Sequence, residues 1–188
     1  MVKERFELTI QTLKRIQEQL QLELESSSHI IAEAIMQGNK VLWCGNGGSA
    51  AQAMHFSTEL TVKYKNPRQP FPSLPLPQDP VYLTAISNDL SFENSFSRLV
   101  QAFGKAGDVL VALSTSGKSK NVNEAVKQAK KMGLKVIYLT GLNPSEVEEF
   151  CDIVIHIPST ETPVIQECHE VVGHILIELI EKKIGELS

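Results

Sequence analysis

Short apolar runs alternate with helical patterns along most of this 188-residue chain. Each run is a few residues long and is bounded by turn residues, which is typical of a buried strand. Strands that alternate with helices predict a parallel sheet with helices on both faces, an α/β sandwich of three layers. The five predicted strands cover residues 41–44, 73–76, 109–113, 136–140 and 153–157.

Prolines crowd the region of the second predicted strand. Five of them lie from Pro70 to Pro80, within the wider stretch 67–80. A proline cannot donate the backbone hydrogen bond that a central strand requires. We therefore expect this strand to be short or to lie at an edge of the sheet.

The two ends of the chain are predicted to be helical. Apolar side chains recur at three- and four-residue steps over residues 6–24, the pattern of an amphipathic helix that needs a partner surface. Ser26, Ser27 and Ser28 form a capping cluster that predicts a second helix, which ends at Gly38. Further helices are predicted at 121–132, from Pro144 onward and at about 164–184.

The chain length fits one domain with a full hydrophobic core. We predict a single domain over residues 1–188, with a helical segment at 1–38 and the parallel core and C-terminal helix at 39–188. The net charge is -4, without a basic block, so we expect no binding to nucleic acid or to a membrane surface. Three cysteines without a C-x-x-C pair, and no apolar targeting segment, favour a cytoplasmic location.

A glycine turn, Gly-Asn-Gly-Gly-Ser at residues 45–49, follows the first predicted strand and precedes a helix. Free backbone N–H groups at such a helix start, together with the helix dipole, bind anions, and phosphate is the expected guest. The turn also fits the dinucleotide pattern G-x-G-x-x-A. That pattern needs an acidic residue about 20 positions later to hold the ribose, and residues 65–68 are Lys-Asn-Pro-Arg. We therefore reject a dinucleotide site.

A hydroxyl loop, Ser-Thr-Ser-Gly-Lys-Ser at residues 114–119, follows the third predicted strand and leads into a helix. Its hydroxyls and the N–H groups of a helix start suit a phosphate monoester. The alternative is that they only cap the helix, but one residue would suffice for that. A nucleotide P-loop is rejected because Ala112 stands where its first glycine is needed.

Two polar clusters lie on helices that are otherwise apolar. His55 and Glu59 are one turn apart on the helix after the glycine turn, an arrangement that is usually only a solvated face. The last helix carries Gln166, Glu167, His169, Glu170 and His174. Imidazole, carboxylate and amide groups from both helices could share one zinc or similar ion.

These motifs together resemble those of the sugar isomerase (SIS) domain family, and within it the phosphoheptose isomerases. The resemblance covers essentially the whole chain and also includes Asn88-Asp89, which we place in a third loop, where it could instead cap the helix starting near Ser91. It implies a flavodoxin-like fold that assembles as a homotetramer, with sites at subunit interfaces and the N-terminal helices used in assembly.

The resemblance also implies a role for each matching residue. The phosphate would be held by Ser114, Thr115, Ser116 and Ser119, and the sugar would be lined by Asn46, Gly47, Gly48, Ser49, Asn88 and Asp89. One zinc ion per subunit would be bound by His55, Glu59, Gln166 and His174, with Glu59 and Gln166 also touching substrate. Glu59 and His174 would act as base and acid.

The implied reaction is an aldose–ketose isomerisation through an enediol. It converts sedoheptulose 7-phosphate to D-glycero-D-manno-heptose 7-phosphate for bacterial surface heptose synthesis. Some relatives carry an acidic residue three positions before the glutamine, where this chain has Pro163. Two alternatives stay open: an isomerase of another sugar phosphate, and a non-catalytic tetrameric relative that binds the replication initiator, a group that lacks the full acid/base set.

The spacing on the last helix leads to one further expectation. Gln166 and His174 are eight residues apart, about 12 Å along the axis, so one ion reaches both only with strain. Contributions from different chains would relieve the strain. We therefore expect an active site that is shared between subunits, which mixed oligomers of Glu59 and His174 variants would test.

Overall fold

The computed structural model describes residues 1–76 and 79–187, and a five-stranded sheet forms its centre. The strands are β1 (Val41–Gly45), β2 (Ser73–Pro75), β3 (Val109–Ser114), β4 (Lys135–Thr140) and β5 (Ile153–His156). Their order is β2-β1-β3-β4-β5, and the neighbouring pairs are all parallel. The prediction of a parallel five-stranded α/β fold is confirmed.

Strand β2 is three residues long and lies at an edge of the sheet, as its prolines predicted. It pairs with β1 over Ser73 to Pro75. A longer pairing is opposed by the neighbouring prolines, each of which lacks a donor. Pro77 and Gln78, from the same proline-rich stretch, lie outside the described residues.

Seven α-helices accompany the sheet in the described part of the chain. They are α1 (Val2–Gln19), α2 (Gln21–Met36), α3 (Gly48–Thr61), α4 (Pro80–Asp89), α5 (Ser95–Phe103), α6 (Lys120–Lys131) and α7 (Thr162–Leu187). The helices predicted at 121–132 and 164–184 therefore form close to the predicted bounds. No helix among the described residues is long and apolar enough to cross a bilayer.

The sheet separates two hydrophobic cores. Trp43 belongs to the core beneath α1, α2, α3 and α7, together with Phe56. Its neighbour Leu42 belongs to the core beneath α5 and α6, together with Phe96 and Val122. Successive side chains of a strand point to opposite faces, so these continuous apolar strands bury both faces of the sheet and produce three layers.

The N-terminal helical segment divides at a different place from the one predicted. The break falls at Leu20, between α1 and α2, and the three serines lie inside α2. Ser27 and Ser28 are buried, and the Ser28 hydroxyl donates to the carbonyl of Glu25 at 2.8 Å. Tertiary burial has therefore overridden the capping preference of serine.

The helix predicted from Pro144 is a 3-10 turn at Glu148–Phe150. The Ser145 backbone N–H donates to the Glu148 carboxylate at 2.7 Å. Proline and acidic residues at 144–146 predicted a helix start, but only this single short turn forms.

The topology brings the glycine turn and the hydroxyl loop together. Strands β1 and β3 are neighbours, with Gly45 paired to Leu113 near their carboxyl ends. Strand β2 lies on the other side of β1, so the strand order reverses at this point. In open α/β sheets, ligands bind outside the carboxyl ends of the strands at such a reversal.

Candidate functional site

The glycine turn connects β1 to α3 through close contacts. Gly47 has φ 53°, and the start of α3 has no side-chain cap. A β-carbon at Gly48 would lie 2.7 Å from the Nε2 atom of Gln166. The Gln166 side chain from α7 therefore lies directly against the turn.

Asn46 is joined to a residue that the sequence analysis did not select. The amides of Asn46 and Asn121 exchange two hydrogen bonds, of 2.8 and 2.9 Å. Asn121 is buried at the start of α6 and also donates to the Ser95 hydroxyl at 3.2 Å. Its position at a helix start was visible in the sequence, but the pairing across 75 residues was not.

The hydroxyl loop forms hydrogen bonds within itself. The Ser114 hydroxyl donates to that of Ser119 at 3.0 Å, and the Lys118 N–H donates to the Ser116 hydroxyl at 3.2 Å. Ser119 occupies the cap position of α6, yet its side chain makes no capping hydrogen bond. The Ser119 hydroxyl therefore does not cap α6. Thr115 in the same loop is half-buried.

A cluster of imidazoles and carboxylates lies between α3 and α7. The His55 Nε2 atom is 3.1 Å from a Glu59 oxygen, and its Nδ1 atom is 2.7 Å from a Glu170 oxygen. The His174 Nε2 atom is 3.9 Å from the same Glu170 oxygen. Gln52 donates to the other Glu170 oxygen at 3.0 Å. One ligand atom each of His55, Glu170 and His174 lies within 4.8 Å of the others, close enough to hold a metal ion.

Glu170 was named in the sequence as part of the polar cluster but was not selected as a ligand. It is four residues from both Gln166 and His174, so it lies on the same face of α7. That spacing was the available signal. His174 reaches the His55 cluster within one chain, and the expectation of an active site shared between subunits stays a prediction.

Aromatic rings enclose His174. Tyr64 stacks on its imidazole with centroids 5.6 Å apart and 16° between the planes, and the His55 ring packs edge-on with its centroid 5.1 Å from that of His174. A β-carbon at Gly173 would lie 2.1 Å from the ring of Phe56. The missing side chain at Gly173 therefore lets α3 and α7 approach closely enough for their imidazoles to meet.

A buried ion pair holds the end of α3 against α7. Arg68 Nε lies 2.7 Å from Glu181, and both side chains are largely buried. Arg68 also donates to the carbonyls of Glu59 and Leu60, each at 2.8 Å. Burial raises the pKa of Glu181, but hydrogen bonds from Arg68 and from the Tyr64 backbone outweigh it and lower the pKa. Glu181 therefore remains a carboxylate.

His169 is a structural residue. It is fully buried on α7, with Nε2 3.4 Å from the carbonyl of Thr140 at the end of β4. Burial lowers the pKa of His169 to about 4, so the ring is neutral at physiological pH.

Asn88 and Asp89 lie at the end of α4 and not in a loop as predicted. The Asp79 carboxylate caps α4 by accepting from the Val81 N–H at 2.8 Å, and Pro80 begins the helix. Asn88 donates to the Asp89 carboxylate at 2.8 Å. Both side chains are exposed, and their role in binding stays a prediction.

Comparisons with known proteins agree with this architecture. A model of the SIS domain matches residues 6–141. The phosphoheptose isomerase of Aliarcobacter butzleri is 43% identical over 175 residues, 93% of this chain and 93% of that protein. The phosphoheptose isomerase of Rhodospirillum rubrum is 46% identical over 158 residues, 84% of each.

Solved structures of phosphoheptose isomerases are also similar to this chain. A phosphoheptose isomerase from Neisseria gonorrhoeae matches with a TM-score of 0.91 at 36% identity, over 96% of this chain and 97% of that one. A phosphoheptose isomerase from Francisella tularensis matches with a TM-score of 0.92 at 32% identity, over 96% of each chain.

Proposed function

The chain belongs to the SIS domain family and is an isomerase of sugar phosphates, and we propose that its substrate is a phosphorylated seven-carbon sugar. The proposed reaction interconverts sedoheptulose 7-phosphate and D-glycero-D-manno-heptose 7-phosphate for lipopolysaccharide heptose synthesis. The observation that carries the proposal is the meeting of α3 and α7. It brings His55 and Glu59 against Glu170 and His174, on the helix whose Gln166 touches the glycine turn.

In this proposal the hydroxyl loop binds the phosphate. The bonds between Ser114 and Ser119, and between Lys118 and Ser116, are the ones that phosphate oxygens would replace. The start of α6 adds N–H groups and the positive end of the helix dipole. The loop hydroxyls assigned to the phosphate are those of Ser114, Thr115, Ser116 and Ser119.

The sugar lies at the glycine turn in this proposal. Asn46, Gly47, Gly48, Ser49 and Gln166 line it, with Asn88 and Asp89 on the α4 side. The phosphate and the sugar then occupy neighbouring strand ends of one sheet edge, because β1 and β3 are adjacent.

Glu59 and His174 carry the proposed proton transfers. Glu59 removes the proton from the carbon beside the carbonyl while His174 protonates the carbonyl oxygen, which gives the enediol. The protonated Glu59 then returns a proton to the former carbonyl carbon while His174 takes one from the other hydroxyl, so no net proton is gained or lost. The enediol oxygen between these steps needs a group that stabilises negative charge. His55 holds Glu59 at 3.1 Å, and Tyr64 stacks on His174, so both groups are kept in place.

One zinc ion per subunit would be held by His55, Glu59, Gln166 and His174. Imidazole, carboxylate and amide oxygen donors suit zinc, and atoms of His55 and His174 already lie within 4.8 Å of each other. When bound, the ion would polarise the substrate carbonyl. Glu170 accepts from His55 Nδ1 in this assignment, a carboxylate–imidazole pairing that orients zinc ligands in many proteins.

We also propose that residues 1–188 form a single domain and that the protein acts in the cytoplasm as a homotetramer. Exposed apolar side chains on α1 and α7, including Phe6, Ile10, Val171 and Ile175, support assembly through this face. Light scattering measures the mass directly. We expect Phe6→Glu to lower it, and a wild-type monomer would contradict the assembly.

The experiment that tests the substrate is a panel of ketose phosphates incubated with purified protein, with aldose product measured over time. Fastest turnover of the seven-carbon sugar supports the proposal. Faster turnover of a pentose or hexose phosphate would assign the substrate to that sugar, consistent with Pro163 replacing an acidic residue. Failure to turn over any sugar would favour the non-catalytic binding protein.

A further inference from the structure

The hydroxyl loop turns at Gly117, which packs against side chains from outside the loop. Gly117 has φ 68°, and its N–H donates to the Ser114 carbonyl at 3.2 Å. A β-carbon at this position would lie 3.2 Å from Ser145 Cβ and 3.3 Å from Thr140 Oγ1. Both the backbone conformation and the available space therefore favour glycine.

The carbonyl of Gly117 is held by two side chains from outside the loop. The Ser145 hydroxyl donates to it at 2.6 Å, and the Asn123 amide donates to it at 3.3 Å. Asn123 is buried and accepts from the Tyr138 hydroxyl at 3.1 Å. Burial raises the pKa of Tyr138 to about 12, so this hydroxyl stays protonated and can donate.

The orientation of the carbonyl decides the direction of the next amide. A trans peptide is planar, so the Gly117 carbonyl and the Lys118 N–H point to opposite sides. The Lys118 N–H lies on the side of the loop hydroxyls, where it donates to Ser116. If this peptide rotated, a carbonyl oxygen would face an incoming anion, and glycine allows such a rotation at little cost.

We propose that Ser145 is a positioning residue for phosphate binding, which holds the Gly117 carbonyl inward so that the Lys118 amide faces the phosphate. The inference rests on the proposed phosphate-binding role of the hydroxyl loop. Ser145 is itself fixed, because its own N–H donates to Glu148 at 2.7 Å, next to the buried Val147. It lies 28 residues from Gly117 along the chain, outside both loop motifs.

The test is the affinity of the 188-residue chain for inorganic phosphate, measured by calorimetry. Ser145→Ala is expected to weaken phosphate binding about five-fold, as for loss of one neutral hydrogen bond. Ser145→Thr keeps the hydroxyl and is expected to restore most of the affinity. Ser28→Ala is the matched control, because it removes another partly buried hydroxyl-to-carbonyl bond, of 2.8 Å in α2, and should leave phosphate affinity unchanged.

Ser119→Ala separates failure of this inference from failure of the proposed function. Weaker phosphate binding in Ser119→Ala with unchanged binding in Ser145→Ala would overturn the positioning role and leave the phosphate site standing. Unchanged binding in Ser119→Ala would overturn the phosphate site, and the positioning role with it. Equal losses in Ser145→Ala and Ser145→Thr would show that the hydroxyl is not the feature that matters.

Discussion

The two halves of the candidate site present different chemical groups. At the ends of β1 and β3, the groups that face the site are backbone amides and hydroxyls, placed by glycine turns with φ 53° at Gly47 and 68° at Gly117. Between α3 and α7, the groups are imidazoles and carboxylates. There His55 is held between Glu59 and Glu170 by contacts of 3.1 and 2.7 Å.

Because of this difference, the geometry of each half depends on different features of the fold. The loop half depends on local backbone conformation, so changes there should alter phosphate binding and leave proton transfer intact. The helical half depends on the distance between two helices and on charged pairs across the gap. Changes there should alter catalysis, metal binding or the fit of the helices.

The largest expected effect is in the helical half. Glu59→Gln keeps the shape of the side chain but cannot accept a carbon-bound proton, so kcat should fall by about 100- to 10,000-fold while substrate still binds. The control is Glu33→Gln, because Glu33 forms the same i,i+4 pair with His29, at 3.2 Å on α2. Turnover of Glu59→Gln within a few-fold of wild type would remove Glu59 from the base role.

In the loop half, Ser119→Ala should weaken binding of phosphorylated sugars by about 1.5 to 3 kcal/mol, the range for a hydrogen bond to a charged group. Unphosphorylated analogues should bind as before. The measurement is the inhibition constant of each ligand pair. Equal losses for both members of a pair would show that this loop does not hold the phosphate.

Metal binding should respond to the carboxylate behind His55. Glu170→Gln is expected to lower zinc affinity by about 10- to 100-fold, the usual effect of losing a partner of a zinc-ligating histidine. His55→Ala should lower occupancy further. Metal analysis after exhaustive dialysis measures both, and full zinc retention in both variants would contradict the assigned site.

The last comparison is between two glycines on the same helix, and its smaller member is the smallest effect expected. Gly173→Ala places a methyl group 2.1 Å from the Phe56 ring, so the free energy of unfolding should fall by about 1 to 3 kcal/mol. A β-carbon at Gly185 meets nothing within 4 Å, and Gly185→Ala should raise stability by up to about 1 kcal/mol. Denaturant unfolding measures both free energies. A similar change in the free energy of unfolding for the two variants would show that α3 and α7 do not need their close approach.

The sequence was most informative where structure follows from local pattern. The apolar strands, the edge position of β2 and the two loops all depend on neighbouring residues, and proline or glycine lies near most of the boundaries. The break at Leu20 could not be predicted in this way. Residues 6–24 keep their apolar spacing across it, and burial of Ser27 and Ser28 decides where the second helix runs.

The residues that pack around the His55 cluster could not be predicted from the spacing of residues in the sequence. Arg68 and Glu181 are 113 residues apart, and Arg68 lies in a proline-rich stretch with no periodic pattern. Tyr64 gives no signal of its own, since its stacking on His174 depends on how the end of α3 meets α7. Such pairs become visible only when the helices are placed side by side.

The reciprocal amide pair of Asn46 and Asn121 bears on which end of the proposed substrate lies at β1. Each amide satisfies the other as both donor and acceptor, so a ligand group gains from opening the pair only if it too can donate and accept. A sugar hydroxyl does both, whereas a fully ionised phosphate only accepts. If the substrate is a sugar phosphate as proposed, the pair would favour its hydroxyl-bearing end at β1 and leave the phosphate end to the neighbouring loop.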